Sequence, residues 1–87
     1  MPAEMHNKLK ILLVDDDPRV LDTLHEIFQE EYEALTATNG GDSIKIISQN
    51  RDITAVVMDI KMSGMDGIMA AREIRKLEPE LPIRIVP

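Results

Sequence analysis

Residues Thr54 to Gly67 read TAVVMDIKMSGMDG, and this stretch decides the fold. Ala55 to Met58 are apolar without a break, the pattern of a strand buried on both faces of a parallel sheet. The run ends in a carboxylate, Asp59, followed by a loop of small and flexible residues and then a helix start. Open parallel sheets bind ligands in the crevice beyond the carboxyl ends of their strands, so Asp59 stands where chemistry is done. Lys10 to Asp17, KILLVDDD, repeats the design: Ile11 to Val14 are apolar and carboxylates close the run. If the two strands are parallel neighbours, Asp15, Asp16 and Asp59 converge on one patch at the same edge of the sheet. Three carboxylates gathered there repel one another unless a cation sits between them. A hard divalent ion with oxygen ligands is the natural solution, and Mg²⁺ suits a site with few protein ligands and several waters.

The rest of the chain fits around these two strands. Asp17 and Pro18 form a helix entry, an N-cap carboxylate with proline at the first helical position. Val20, Leu21, Leu24, Ile27 and Phe28 then mark one face of an amphipathic helix from Pro18 to about Glu30. His25 could join Asp22 on a metal, but a solvated histidine is the simpler reading. Tyr32 to Ala37 reads as an edge strand, with Glu33 guarding it against strand-to-strand aggregation. Asn39, Gly40 and Gly41 read as a turn, and Asp42 to Gln49 as a second helix with Ile44 and Ile47 inward. The double glycine is no nucleotide cradle, because no Lys-Ser or Lys-Thr follows it. Asp66 is read either as the N-cap of a third helix or as a fourth cation ligand. Capping is preferred, because Ile68, Ala71, Ile74 and Leu77 follow on one helical face. Met62 and Met65 are assigned to the core. Glu78-Pro79-Glu80 ends the helix, and Leu81 to Val86 is the fourth strand.

Composition excludes several classes. The 87-residue chain is one small domain at most, 44% apolar and 30% charged, which is globular and not disordered. A net charge of −6 with scattered Lys and Arg argues against a nucleic-acid surface. The absence of cysteine removes disulfides, thiolate zinc sites and a cysteine nucleophile. No signal-peptide or membrane-spanning run is present, so the cytoplasm is the expected compartment. Residues 1–7 carry no apolar period and are expected to form a flexible tail.

VDDDP followed at this distance by MDIKMSGMDG, in a β-α-β-α-β-α rhythm, resembles the receiver domain of two-component response regulators. The resemblance covers residues 8–87, taken as a partial receiver domain. It implies a flavodoxin-like α/β fold, a doubly wound parallel sheet of order 2-1-3-4 as far as the chain goes. It implies that Asp59 is the phosphoacceptor, Asp16 a direct Mg²⁺ ligand, Asp15 its partner acting largely through metal-bound water, and the backbone carbonyl of Lys61 a further ligand. It implies a sensor histidine kinase or phosphotransfer protein as partner, and no enzyme activity beyond phosphorylation and dephosphorylation of the chain itself.

The resemblance has departures. A receiver ordinarily continues through a helix, a fifth strand and a final helix, so the pattern is incomplete at the C-terminus. The hydroxyl residue expected after the fourth strand falls on Pro87, the lysine of the fifth strand is absent, and Ser63 replaces the usual loop proline. An unpaired fourth strand invites association, hence an expected homodimer through that strand. The alternative function is a truncated, signalling-impaired module that only binds metal or associates with itself. A phosphatase with an aspartate nucleophile would want an acid or base two residues after Asp59, where Lys61 stands.

Overall fold

The computed structural model describes residues 8–62 and 66–86. The tail expected over 1–7, together with Ser63, Met65 and Pro87, lies outside the described residues. Strands β1 (Leu9–Val14), β2 (Tyr32–Ala37), β3 (Ile53–Asp59) and β4 (Ile83–Val86) alternate with helices α1 (Pro18–Phe28), α2 (Gly40–Gln49) and α3 (Gly67–Leu77). The strands form one parallel sheet in the order β2-β1-β3-β4. This is the flavodoxin-like arrangement 2-1-3-4.

Alternation along β1 divides the core in two. Leu12 and Val14 pack with Val56 and Met58 against Ile47 of α2 and Ala70 and Ile74 of α3. Ile11 and Leu13 pack on the opposite face with Leu21 of α1. Ile11 to Val14 are therefore all buried, as a strand covered on both faces requires, while Leu9 at the start of β1 is exposed. In β3 only one face is fully covered: Val56 and Met58 are buried, whereas Ala55 and Val57 are half-buried against the α1 side. Met62 is buried in the α2–α3 core, filling space with a flexible thioether.

Element ends differ from the sequence pattern in several places, each for a local reason. Helix α1 stops at Phe28 instead of near Glu30: after the last regular bond, Gln29 N–H to His25 O, the chain tightens so that Glu31 N–H donates to Phe28 O at 3.1 Å, and the Lys8 ammonium takes the Gln29 carbonyl at 2.7 Å. On that helix Leu21 is buried, while Val20 and Ile27 are exposed despite sharing the apolar stripe. Helix α2 begins at Gly40 and not Asp42, since the Asn39 carboxamide accepts the Asp42 N–H at 2.8 Å and draws both glycines into the first turn. On α3 the buried line runs through Gly67, Ala70 and Ile74, leaving Ile68 exposed on the flank. Strand β4 begins at Ile83, because Pro82 has no N–H to donate; its carbonyl still accepts from Val56 N–H at 3.0 Å.

Leu12 is fully buried and Ile27 is 63% exposed. Leu12→Ala is expected to cost about 2–5 kcal/mol, and Ile27→Ala to stay within about 0.5 kcal/mol. Urea unfolding of both variants checks this; equal midpoints would contradict the assignment of the core.

Candidate metal centre

Parallel pairing sets the site. Val14 of β1 is in register with Met58 of β3, so the next residues, Asp15 and Asp59, leave the sheet side by side. Asp16 follows, and each of the three carboxylates offers an oxygen within 4.8 Å of the others. Asp15 and Asp59 are half-buried and Asp16 is exposed. The backbone at Asp15 is tied to the neighbouring strand by its N–H, which donates to Ala37 O at 3.2 Å.

Two carboxylates are oriented by the same local device. Asp15 Oδ1 accepts the Asp17 N–H at 2.9 Å, and Asp59 Oδ1 accepts the Lys61 N–H at 3.1 Å. Each is an aspartate folded back onto the amide two residues ahead. The Lys61 side chain is exposed, and its amide belongs to the site through this bond. Asp66 serves the helix instead. It caps α3, accepting the Met69 N–H at 2.8 Å, and is outside the three-carboxylate group.

Arg19 is a neighbour that the strand-and-loop pattern did not single out. Asp17 caps α1 by accepting the Arg19 N–H at 2.9 Å, and the Arg19 guanidinium meets the same carboxylate at 3.2 Å. The Arg19 side-chain hydrogen bond, helped by the backbone one, holds the Asp17 carboxyl below its ordinary value. Asp17 thus stands beside the acidic group with its charge paired. The spacing Asp-Pro-Arg carried the signal, since a capping residue and the second helical residue lie close enough to pair.

The donor set is chemically coherent. Carboxylate oxygens are hard ligands, and oxygens this close need only a small closing movement to share one small divalent cation. The residues present therefore fit Mg²⁺.

The sequence profile of the response regulator receiver domain matches residues 11–87. This chain belongs to that family. The receiver is 33% identical over 82 residues to the transcriptional regulatory protein GlrR of Escherichia coli, covering 93% of this chain and 18% of that protein. Among solved structures, the response regulator TrrA of Thermotoga maritima in complex with Mg²⁺ and BeF superimposes with a TM-score of 0.80 at 40% identity, covering 85% of this chain and 64% of that one. The complex of histidine kinase ThkA with TrrA gives a TM-score of 0.80 at 39% identity, covering 87% of this chain and 66% of the matched one. Receiver domains are signalling modules of two-component systems. Among the described residues, no helix is long and apolar enough to cross a membrane.

The Asp17–Arg19 pair has a pH signature. A carboxyl whose folded pKa is lowered contributes stability above its unfolded value and loses it as pH falls through the folded one. Carbon-detected NMR should show Asp17 titrating below 3.8, and Arg19→Ala should return the midpoint toward that value. An unmoved midpoint would mean that the pair does not persist in solution.

Proposed function

We propose that this receiver is a phosphoacceptor module of a two-component phosphorelay, with Asp59 as the nucleophile. The observation that carries this reading is the meeting of Asp15, Asp16 and Asp59 within 4.8 Å at the carboxyl ends of adjacent parallel strands. A free oxygen of Asp59 attacks the phosphorus of a phosphohistidine or a small acyl phosphate. The P–O bond to Asp59 forms as the bond to the donor nitrogen or oxygen breaks, giving a mixed anhydride. The leaving imidazole or carboxylate departs with the electron pair.

The Lys61 amide holds one Asp59 oxygen, which leaves the other for attack. Asp15 and Asp16, with Asp59 and the Lys61 backbone carbonyl, would hold Mg²⁺. When bound, that ion offsets charge on the transferring phosphoryl oxygens. The Mg²⁺–BeF complex of TrrA and its complex with ThkA support both the ion and a histidine kinase partner. Catalysis is confined to the chain's own phosphorylation and dephosphorylation. The acidic balance of −6 supports a module without direct nucleic-acid contact.

The chain spans 18% of GlrR and 62% of the sporulation initiation phosphotransferase F of Bacillus subtilis. Pro87 provides no hydroxyl at the position where the family pattern expects one, and one missing preorganised donor costs on the order of 10²–10³ in rate. Phosphorylation is accordingly slow. Strand β4 forms the sheet edge among the described residues, and Ile83 and Ile85 share a groove with Ile68 and Ala71 beside it.

Intact mass after incubation with Mg²⁺ and acetyl phosphate should gain one phosphoryl group, and Asp59→Asn should gain none. Equal gain in both would move the nucleophile elsewhere, and none in either would remove the phosphoacceptor reading.

A further inference from the structure

The loop after Asp59 returns to the strand that launched it. Gly67, the first residue of α3, is buried, and its N–H donates to Ile60 O at 3.1 Å. A Cβ at Gly67 would overlap the Asp59 carbonyl oxygen and stand 2.9 Å from Ile60 Cα and 3.1 Å from the Asp59 carbonyl carbon. All three are backbone atoms, so no side chain can swing aside to relieve the contact.

We propose that Gly67 is a positioning residue for Asp59. Its bare Cα lets the first turn of α3 sit directly on the Asp59–Ile60 peptide, and this seat sets where the Asp59 carboxylate stands relative to Asp15 and Asp16. The inference rests on the phosphoacceptor reading of Asp59 and adds the element that aims it.

Neither side of the contact can yield easily. Helix α3 is anchored by Ala70 and Ile74, both fully buried. Strand β3 is held between β1 and β4, and Ile60 N–H is bonded to Val86 O at 2.9 Å. A methyl group forced between them presses directly on the exit from Asp59 to Lys61, the backbone that the added Cβ would meet. The bond from Lys61 N–H to Asp59 Oδ1 lies on that exit, so the carboxylate turns with it. Gly41 supplies the contrast: it too lies in the first turn of a helix, but its added Cβ would meet only Asn39 Oδ1, at an ordinary 3.4 Å.

The test compares Gly67→Ala with Gly41→Ala, the same chemical change in two first turns. The first readout is the Lys61 amide proton shift in metal-free protein, which reports the hydrogen bond to Asp59. The others are Mg²⁺ affinity by titration and the rate of phosphorylation by acetyl phosphate. A misplacement of about 1 Å can cost on the order of 10²-fold in rate. Gly67→Ala is therefore expected to shift the Lys61 amide, weaken Mg²⁺ by about tenfold and slow phosphorylation by about 10²-fold. Gly41→Ala should leave all three near the parent values.

An unmoved Lys61 amide with Mg²⁺ affinity equal to that of Gly41→Ala overturns the proposal, as do equal losses in both variants. The amide shift needs neither metal nor phosphodonor, so it decides the seat even where the parent takes up no phosphoryl group and the phosphoacceptor reading alone fails. Should Gly67→Ala not fold, Asp66→Ala decides: it releases the same turn by removing the cap on Met69 N–H. The Lys61 amide must then move in a folded protein, and a stationary one overturns the seat.

Discussion

The pairing of β1 with β3 is the constraint on which the rest of this receiver depends. It joins two apolar runs, and the cost of joining them is that their terminal aspartates meet. Leu12, Leu13, Val56 and Met58 are all fully or almost fully buried by this packing, each worth about 1.5–3 kcal/mol. Two like charges about 4 Å apart repel by about 1 kcal/mol in water and about 4 kcal/mol at a protein surface. Burial therefore outweighs repulsion, and the strands bring together carboxylates that would separate if left to themselves. That forced proximity is what would give the proposed site an affinity for a cation, because a cation would relieve a repulsion that folding has already imposed.

The junctions that follow the strands make this tolerable. Asp17, Asn39 and Asp66 cap α1, α2 and α3, one Asx residue at each strand-to-helix crossing. In a parallel β/α sheet these helix starts all lie at the carboxyl edge, with their partial positive charge toward the acidic group. The short side chains that cap helices also fold back on nearby amides, which is what Asp15 and Asp59 do with Asp17 and Lys61. One local chemistry thus ends the strands, starts the helices and orients the carboxylates.

That shared chemistry explains how much the sequence disclosed. The bounds of β2, the cap at Asp66 and the meeting of Asp15, Asp16 and Asp59 all follow from patterns within a few residues plus one assumption of adjacency. The exposure of Val20 and Ile27 was not legible, because an apolar stripe shows which side of a helix faces inward and not how far the neighbouring sheet extends beneath it. Gly40 and Gly41 looked like a turn because glycine is a poor helix former; the Asn39 cap overrode that preference. The close approach of Gly67 to Asp59 lies beyond any local pattern, since it involves the backbone of another element. A glycine after a capping aspartate gives no sign of the atoms above it.

Ile60 couples the acidic strand to its neighbours. Its N–H goes to Val86 at the end of β4, and its carbonyl accepts from Gly67 at the start of α3. The residue directly after the acidic strand is therefore bonded to both elements that flank it. A slack connection here would isolate Asp59 from the rest of the fold; with both groups engaged, a change in the position of Asp59 has to be shared with β4, with α3, or with both. Since α3 is fixed through buried Ala70 and Ile74 while β4 is a four-residue strand of alternately half-buried and exposed residues, the softer partner is β4. Segments with few buried contacts are drawn from the low-stability part of a structure. The mechanical asymmetry around Ile60 thus directs any adjustment at the carboxylates toward the end of β4.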